Sequence, residues 1–234
     1  MNETQNKEYP DNVFTLAIPI VAIDIVIFTI YKNKLCIVLD IKESEDKKVK
    51  YILPGGIVKK GVSLEDNISG ILLKQTGIQG AYCEQLSVFG DPNRDPRGHV
   101  ISISYFCMVS VDNFLKNADF TKIQIIDYNN LDSIEIGFHF DHKNIINVAK
   151  KRLDYLLEYT DIVKNIVPKE FTIPYLHKVY ETILGETIDK RNFRKKLFFL
   201  DIIKETGELD RKSANKPSKL YEFIEKRTEN IELI

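Results

Sequence analysis

The stretch PGGIVKKGVSLEDNISGILLKQTGI, Pro54–Ile78, decides how the rest of the chain is read. Pro54-Gly55-Gly56 is a turn whose missing side chains let backbone or ligand come close. Ser63, with Asp66 three residues on, is a capping-box-like helix start, and Gly77 after Thr76 supplies the stop. Working outward, Lys50–Leu53 is a short strand leading into the turn. Upstream, Val21–Ile30 and Leu35–Ile41 flank Lys32-Asn33, a hairpin signal. Downstream, Cys83–Phe89, His99–Val109 and Lys122–Ile126 read as strands, with Ile101, Ile103 and Tyr105 alternating against Ser102 and Ser104. A helix framed by such antiparallel strands is a mixed α/β pattern.

Beyond residue 140 the period changes from two to 3.6. Ile145, Ile146, Ala149, Leu153, Leu156 and Leu157 fall on one helical face. Tyr159–Pro168 reads as a junction with one short helical turn. Thr172 caps a helix through Leu184 that points Leu176, Val179, Tyr180 and Ile183 inward and stops at Gly185. Asp189 caps the next helix, expected to run to about Lys204, and Gly207–Phe223 reads as a hairpin. Helix, short turn, helix and hairpin is winged-helix order. The expected division is residues 1–158 and 159–234.

Composition excludes several classes. With 44% hydrophobic and 29% charged residues in 234, and only 11 Gly and 8 Pro, the chain is neither collagenous nor disordered. Cys36, Cys83 and Cys107 form no CxxC pair and are expected as reduced thiols in a cytoplasmic protein. His99, His139, His142 and His177 lack metal spacing, so no metal site, cofactor or catalytic residue is assigned. The apolar run Phe14–Tyr31 approaches membrane-spanning length, but Pro19, Asp24 and its β-branched residues mark it as buried sheet rather than a span. No membrane contact is expected.

The net charge of −1 conceals a local excess. Within Ile188–Leu220 ten Lys and Arg face five Asp and Glu, the footprint of a polyanion site.

Pro54–Ile78 resembles the Nudix box, G-x5-E-x7-R-E-U-x-E-E-x-G-U, where U is aliphatic. Counted from Gly56, Leu72 and Ile78 fill aliphatic positions and Gly77 the last glycine. The acids do not follow. Val62 stands at the first Glu, Gly70-Ile71 at Arg-Glu, and Lys74-Gln75 at the metal-binding Glu pair. Mg²⁺ needs hard oxygen ligands, which this set does not offer. The resemblance implies a Nudix-like α/β sandwich with a mixed sheet. The missing acids predict that it does not hydrolyse, and the hypothesis for the vacated metal position is electrostatic replacement by Lys74.

FGDPNRDPRGHVISISYF (Phe89–Phe106) resembles the loop and strand beside the ligand cleft in the ADP-ribose-related branch of that family. Arg94 and Arg97 suit phosphate or carboxylate, while Asp91 and Asp95 can accept from sugar hydroxyls. A salt-bridged loop ordered by Asp-Pro turns is the alternative. Gly55, Gly56, Lys74, Asp91, Arg94, Asp95 and Arg97 are the expected ligand residues. Phe140-Asp141-His142 matches a family feature too, and a helix start capped by Asp141 explains it without function.

In the helix after Asp189, Phe193, Leu197 and Leu200 share a face, with Arg191 and Lys195 opposite and Asn192 and Arg194 flanking. Phe198, Phe199 and Ile202 continue the outer side. A recognition helix has this layout, its first turns entering the major groove. Lys190, Arg191, Asn192, Arg194, Lys195 and Lys196 are the expected DNA contacts on the helix. Arg211, Lys212, Lys216 and Lys219 would meet phosphates from the hairpin.

As a whole the chain resembles the Nudix-related transcriptional regulators of the NrtR type, most specifically in FTIPYLHKVYETILGETIDKRNFRKKL (Phe171–Leu197). That resemblance implies a repressor acting as a homodimer on double-stranded DNA with a palindromic operator. Its effector would be a small molecule, ADP-ribose or a pentose or sugar derivative. The competing expectation is a Nudix hydrolase acting on ADP-ribose, with a C-terminal dimerisation module.

Overall fold

The computed structural model describes residues 18–43, 49–121, 123–133, 138, 140–210 and 217–224. Arg211, Lys212 and Lys216 lie outside them. The chain runs β1 (Ile20–Tyr31), β2 (Lys34–Glu43), β3 (Val49–Ile52), β4 (Gly55–Ile57), α1 (Leu64–Ile71), β5 (Tyr82–Phe89), β6 (Val100–Met108), α2 (Val111–Asn117), β7 (Ile123–Asp127) and α3 (His142–Tyr159). Then come α4 (Ile173–Leu184), α5 (Lys190–Phe199), β8 (Ile203–Asp210) and β9 (Ser218–Phe223).

The β1–β2 hairpin turns through Lys32 and Asn33, both left-handed (φ 51° and 59°), which matches the twist of paired strands. The sheet order is β3-β2-β1-β6-β5, with β4 also on β1 and β7 also on β2. β1 and β6 run parallel and the other pairs antiparallel, so the sheet is mixed.

Both faces of β1 are covered, which is why its sequence looks like a membrane span. Ile23, Ile25 and Ile27 pack with Tyr105 and Cys107 against Ile68 and Leu72 of the box segment. Val26 and Phe28 pack with Phe106 and Met108 against Ile145, Ile146, Ala149 and Leu153 of α3. Each such buried side chain stabilises the fold by about 1.5–3 kcal/mol. No helix among the described residues is long and apolar enough to cross a membrane.

The second core does not stop at α3. Leu156 and Leu157 pass it to Ile162, Val163, Leu176, Tyr180, Phe193, Leu197, Ile202 and Tyr221. Helices α3, α4 and α5 and the β8–β9 hairpin thus share one continuous apolar interior with the sheet.

Several expectations need correction. Helix α5 ends at Phe199 rather than near Lys204: Asp201 turns left-handed (φ 50°), Ile202 and Ile203 bury, and Lys204 lies in β8. Ile202 is therefore inside, not on the outer face. The hairpin begins at Ile203, with Gly207 (φ 85°) inside an irregularity of its register. Strand β4 and helix α2 add to the expected elements. Cys83 and Cys107 oppose each other across β5 and β6 and are joined as a disulfide, not held as thiols. Buried Cys36 stays free, its thiol pushed up to about 11 by burial.

Candidate ligand site and nucleic-acid interface

The glycine-rich turn is fixed from two sides. A side chain at Gly55 would collide with the Ile23 carbonyl, so only glycine lets β4 lie against β1. Gln75 then grips the same residue, its Oε1 accepting from Gly55 N at 2.9 Å and its Nε2 donating to Gly55 O at 2.7 Å. Gln75 sits in a wide helical turn, Leu72–Thr76, that continues α1 and closes at Gly77 (φ 75°). Asn67 holds the loop before α1, accepting from Lys59 N and donating to Val62 O and Ser63 O. Ser63 Oγ caps α1 by accepting from Asp66 N.

At the remaining box positions, Val62, Gly70 and Lys74 are exposed and Ile71 is half-buried against the α1-side core. Glu65 and Asp66 are exposed in the first turn of α1. Among the described residues no group of three His, Cys, Asp or Glu could hold a metal ion.

Beneath the turn lies a buried polar cluster with Asp24 at its centre. Arg94 Nη2 donates to Asp24 Oδ2 at 3.0 Å and to Asp141 Oδ1 at 2.7 Å, and Arg94 Nε donates to Asp141 Oδ2 at 3.1 Å. His142 Nδ1 accepts the amide of Leu53 at 3.0 Å, which leaves Nε2 as the protonated nitrogen, 3.5 Å from Asp24 Oδ1. Burial works against the Asp24 charge, but hydrogen bonds from His142 and Ser102 and the nearby Arg94 hold its carboxyl below the ordinary range. Burial also opposes the Arg94 charge, and the Asp141 and Asp24 carboxylates outweigh it. Ser102 and Ser104, fully buried, bond to each other beside this cluster at 2.9 Å.

The 89–98 loop divides its four expected ligand residues. Arg94 is interior and committed to two carboxylates. Asp95 is buried and accepts from Arg97 N, Nε and Nη2, which lowers its pKa. Arg97 stays largely exposed, its guanidinium 4.9 Å from the Phe140 ring centre. Asp91 is exposed and turns the loop by accepting from Asn93 N. The structure thus brings Gly55 and Arg94 to Asp24, with Asp95 and Arg97 paired to each other on the same loop. Asp91 joins Arg94 only through its backbone carbonyl, which accepts from Arg94 N at 3.1 Å, and no side-chain hydrogen bond or ion pair among the described residues ties Lys74 to the group.

Asp141 departs from its expected role. It stands at the start of α3 but makes no side-chain cap, because both its oxygens are spent on Arg94. Asp24, in sequence only an interruption of an apolar run, is the residue of this candidate site that sequence reasoning misses. Its signal is an acid placed mid-strand without a charged neighbour in sequence. A separate hollow of about 690 Å³ beside α1, lined by Glu65, Leu72, Gln79, Cys83 and Tyr105, lies on the opposite sheet face and includes none of the expected ligand residues.

In the C-terminal part, Thr172 and Asp189 accept from Tyr175 N and Asn192 N and so cap α4 and α5. The turn between them is pinned at Ile188: its carbonyl bonds His177 Nε2 at 2.8 Å and its amide donates to Glu181 Oε1 at 3.3 Å. Phe193 and Leu197 are buried, fixing which face of α5 points out. Lys190, Arg191, Asn192, Arg194 and Lys195 are exposed and Lys196 half-exposed. Among the described residues none of the five cations of α5 is paired with a carboxylate. Arg194 lies 5.4 Å from the Phe198 ring, which packs on Tyr221 of β9. Lys219, also on β9, pairs with Glu205 at 2.9 Å; this bond raises its pKa, and the positive charge of Arg194 opposes the rise.

These features define a Nudix-like α/β domain continued by a winged helix. The model of the NrtR DNA-binding winged helix domain matches residues 163–223. The chain is 27% identical over 226 residues to the ADPR responsive transcriptional repressor NtrR of Acinetobacter baylyi, covering 94% of this chain and 85% of that protein. It is 32% identical over 128 residues to the ADP-ribose pyrophosphatase of Methanocaldococcus jannaschii, covering 55% of this chain and 71% of that one. The fold is similar to the crystal structure of Shewanella oneidensis NrtR complexed with a 27mer DNA (TM-score 0.74, 24% identity, 87% and 93% of the two chains). The chain thus pairs a Nudix-like α/β domain with a winged helix of the NrtR type, the organisation of the Nudix-related regulators it resembles.

Proposed function

We propose that this chain is a DNA-binding transcriptional repressor whose Nudix-like domain senses ADP-ribose, or a related sugar derivative, without hydrolysing it. The observation that carries the reading is α5: five cations, none paired with a carboxylate among the described residues, exposed or partly exposed on a capped helix next to a β-hairpin. Its relative in Acinetobacter baylyi, a repressor responsive to ADPR, supports both halves of the proposal.

The proposed DNA residues are Lys190, Arg191, Asn192, Arg194, Lys195 and Lys196, with Lys219 and, outside the described residues, Arg211, Lys212 and Lys216. The proposed ligand residues are Gly55, Gly56, Lys74, Asp91, Asp95 and Arg97, with Arg94 organising the loop from beneath. The two sites communicate through α3. Arg94 ties the loop to Asp141 at the start of α3, and Leu156 and Leu157 at its end share a core with α4 and α5. A ligand that favours one position of the loop changes DNA affinity if the two states bind it differently.

Absence of hydrolysis is proposed from the box. Its metal positions hold Lys74 and Gln75, and the Gln75 amide is occupied by Gly55. This donor set does not fit Mg²⁺. A homodimer on a palindromic operator, a cytoplasmic location and a domain division near residue 158 complete the proposal.

The competing reading, an ADP-ribose hydrolase, is favoured by the 32% identity to a pyrophosphatase. Two assays separate them. The full chain should enrich a defined duplex from a random DNA library and release no phosphate product from ADP-ribose with Mg²⁺. Enrichment of no sequence together with Mg²⁺-dependent turnover would reverse the assignment.

A further inference from the structure

Helix α5 carries an aromatic side chain that the electrostatic footprint leaves unused. Phe199 is 85% exposed, the most exposed of the large hydrophobic residues described, while Phe193 and Leu197 on the same helix are buried. At about 100° per residue, Phe193 and Leu197 set the inward direction, and Lys195 lies opposite it. Phe199 falls about 40° to one side of Lys195 and Arg191 about 40° to the other. Asn192 lies about 20° beyond Phe199. The ring is thus part of the outermost strip of α5 rather than its edge.

Its surroundings are concave. Phe199, Asn192, Lys195 and Lys196 line a hollow of about 600 Å³ together with Glu186 and Asp189. The two aromatic residues at the end of α5 are treated differently by the fold. Phe198 is covered on one side by Tyr221 and Arg194. Phe199 projects alone, one helical turn beyond Lys195.

We propose that Phe199 is a sequence-reading contact, seated against a thymine methyl group in the major groove when α5 is bound to DNA. This rests on the DNA-binding reading above. Charge complementarity selects the occupant: Arg191, Lys195 and Lys196 around the ring favour a polyanion, and another basic α5 would be repelled. Thymine supplies the apolar surface that the major groove offers to such a ring. The carboxylates of Glu186 and Asp189 in the lining repel phosphate, which favours base edges over backbone at the hollow. Phe199 would then discriminate sequence, while the lysines set affinity and salt dependence.

The test uses the full chain and a duplex it enriches from a random DNA library, with each thymine replaced in turn by deoxyuridine, which lacks only the methyl group. Wild-type binding should weaken about fourfold at one thymine per half-site, the effect of one buried methyl. Phe199→Ala should lose a similar factor on the thymine duplex and become indifferent to that replacement, with unchanged salt dependence and unchanged binding to random DNA. Phe199→Leu should keep part of the preference. A Phe199→Ala protein that binds both duplexes like wild type, or retains full thymine preference at lower affinity, overturns the assignment. A wild-type chain that enriches no sequence overturns the DNA reading itself, and this contact with it.

Discussion

Arg94 and Asp141, 47 positions apart, meet through two hydrogen bonds of 2.7 and 3.1 Å, so the loop after β5 is fastened to the start of α3. Asp24 holds the same guanidinium from the sheet at 3.0 Å. One side chain thus joins sheet, loop and connecting helix. Phe140, left-handed at φ 55°, precedes this anchor and stacks its ring near Arg97, giving the loop a second hold on the same place.

Removing that side chain strands two carboxylates. Arg94→Ala is expected to destabilise the protein by about 3 kcal/mol, since an ion pair broken on one side leaves buried charge uncompensated. Arg94→Lys should recover only part, because a lysine cannot make the forked pair with Asp141. Urea unfolding of the three proteins measures this, and an Arg94→Ala curve overlying wild type would refute it.

Acid should act through Asp24. Its pKa in the folded chain lies below the ordinary 3.8, so the folded state binds this proton less readily than the unfolded state. The stabilisation is fully present above about pH 4 and is lost as pH falls through the lower folded value. Asp24→Asn should be less stable at pH 7 and show a shallower decline below pH 4. Unfolding free energies from pH 7 to 2.5 would expose the opposite trend if it existed.

Lys74 tests the electrostatic replacement of metal. Lys74→Glu reverses a charge on an exposed turn and should weaken ADP-ribose binding about tenfold by calorimetry, leaving stability within about 0.5 kcal/mol. Unchanged ADP-ribose affinity would remove Lys74 from the site.

For the DNA face, Arg191→Ala combined with Lys195→Ala removes two cations proposed to meet phosphates or bases. The salt dependence of binding should fall by up to about two units of slope, near 0.9 for each phosphate no longer neutralised. A slope and affinity equal to wild type would reduce α5 to a charged surface helix.

What is legible in the sequence follows from range along the chain. Local chemistry announces itself: Lys32-Asn33, Ser63, Gly77, Thr172, Asp189 and Gly185 each mark a boundary through their own backbone or side-chain bonds, and all hold. The end of α5 misleads because Leu200, Ile202 and Ile203 continue a helical apolar spacing, while Asp201 reverses the backbone. The candidate ligand site is only half legible. Arg94 and Arg97 are both visible as cations, but which one is buried depends on Asp24 and Asp141, 70 and 47 positions away. Asp24 itself hides inside an apolar strand, where its partners come from other elements. The Cys83–Cys107 pairing likewise depends on strand register rather than spacing.

The most direct measurement is fluorescence anisotropy of the full chain on duplex DNA from upstream of its own gene, with excess random DNA and with ADP-ribose added in steps. A metabolite-responsive repressor binds at least about 10³-fold more tightly than to random sequence and shifts its affinity as ADP-ribose is added. Binding that disappears under competitor at every upstream segment, and does not change with ADP-ribose, contradicts it.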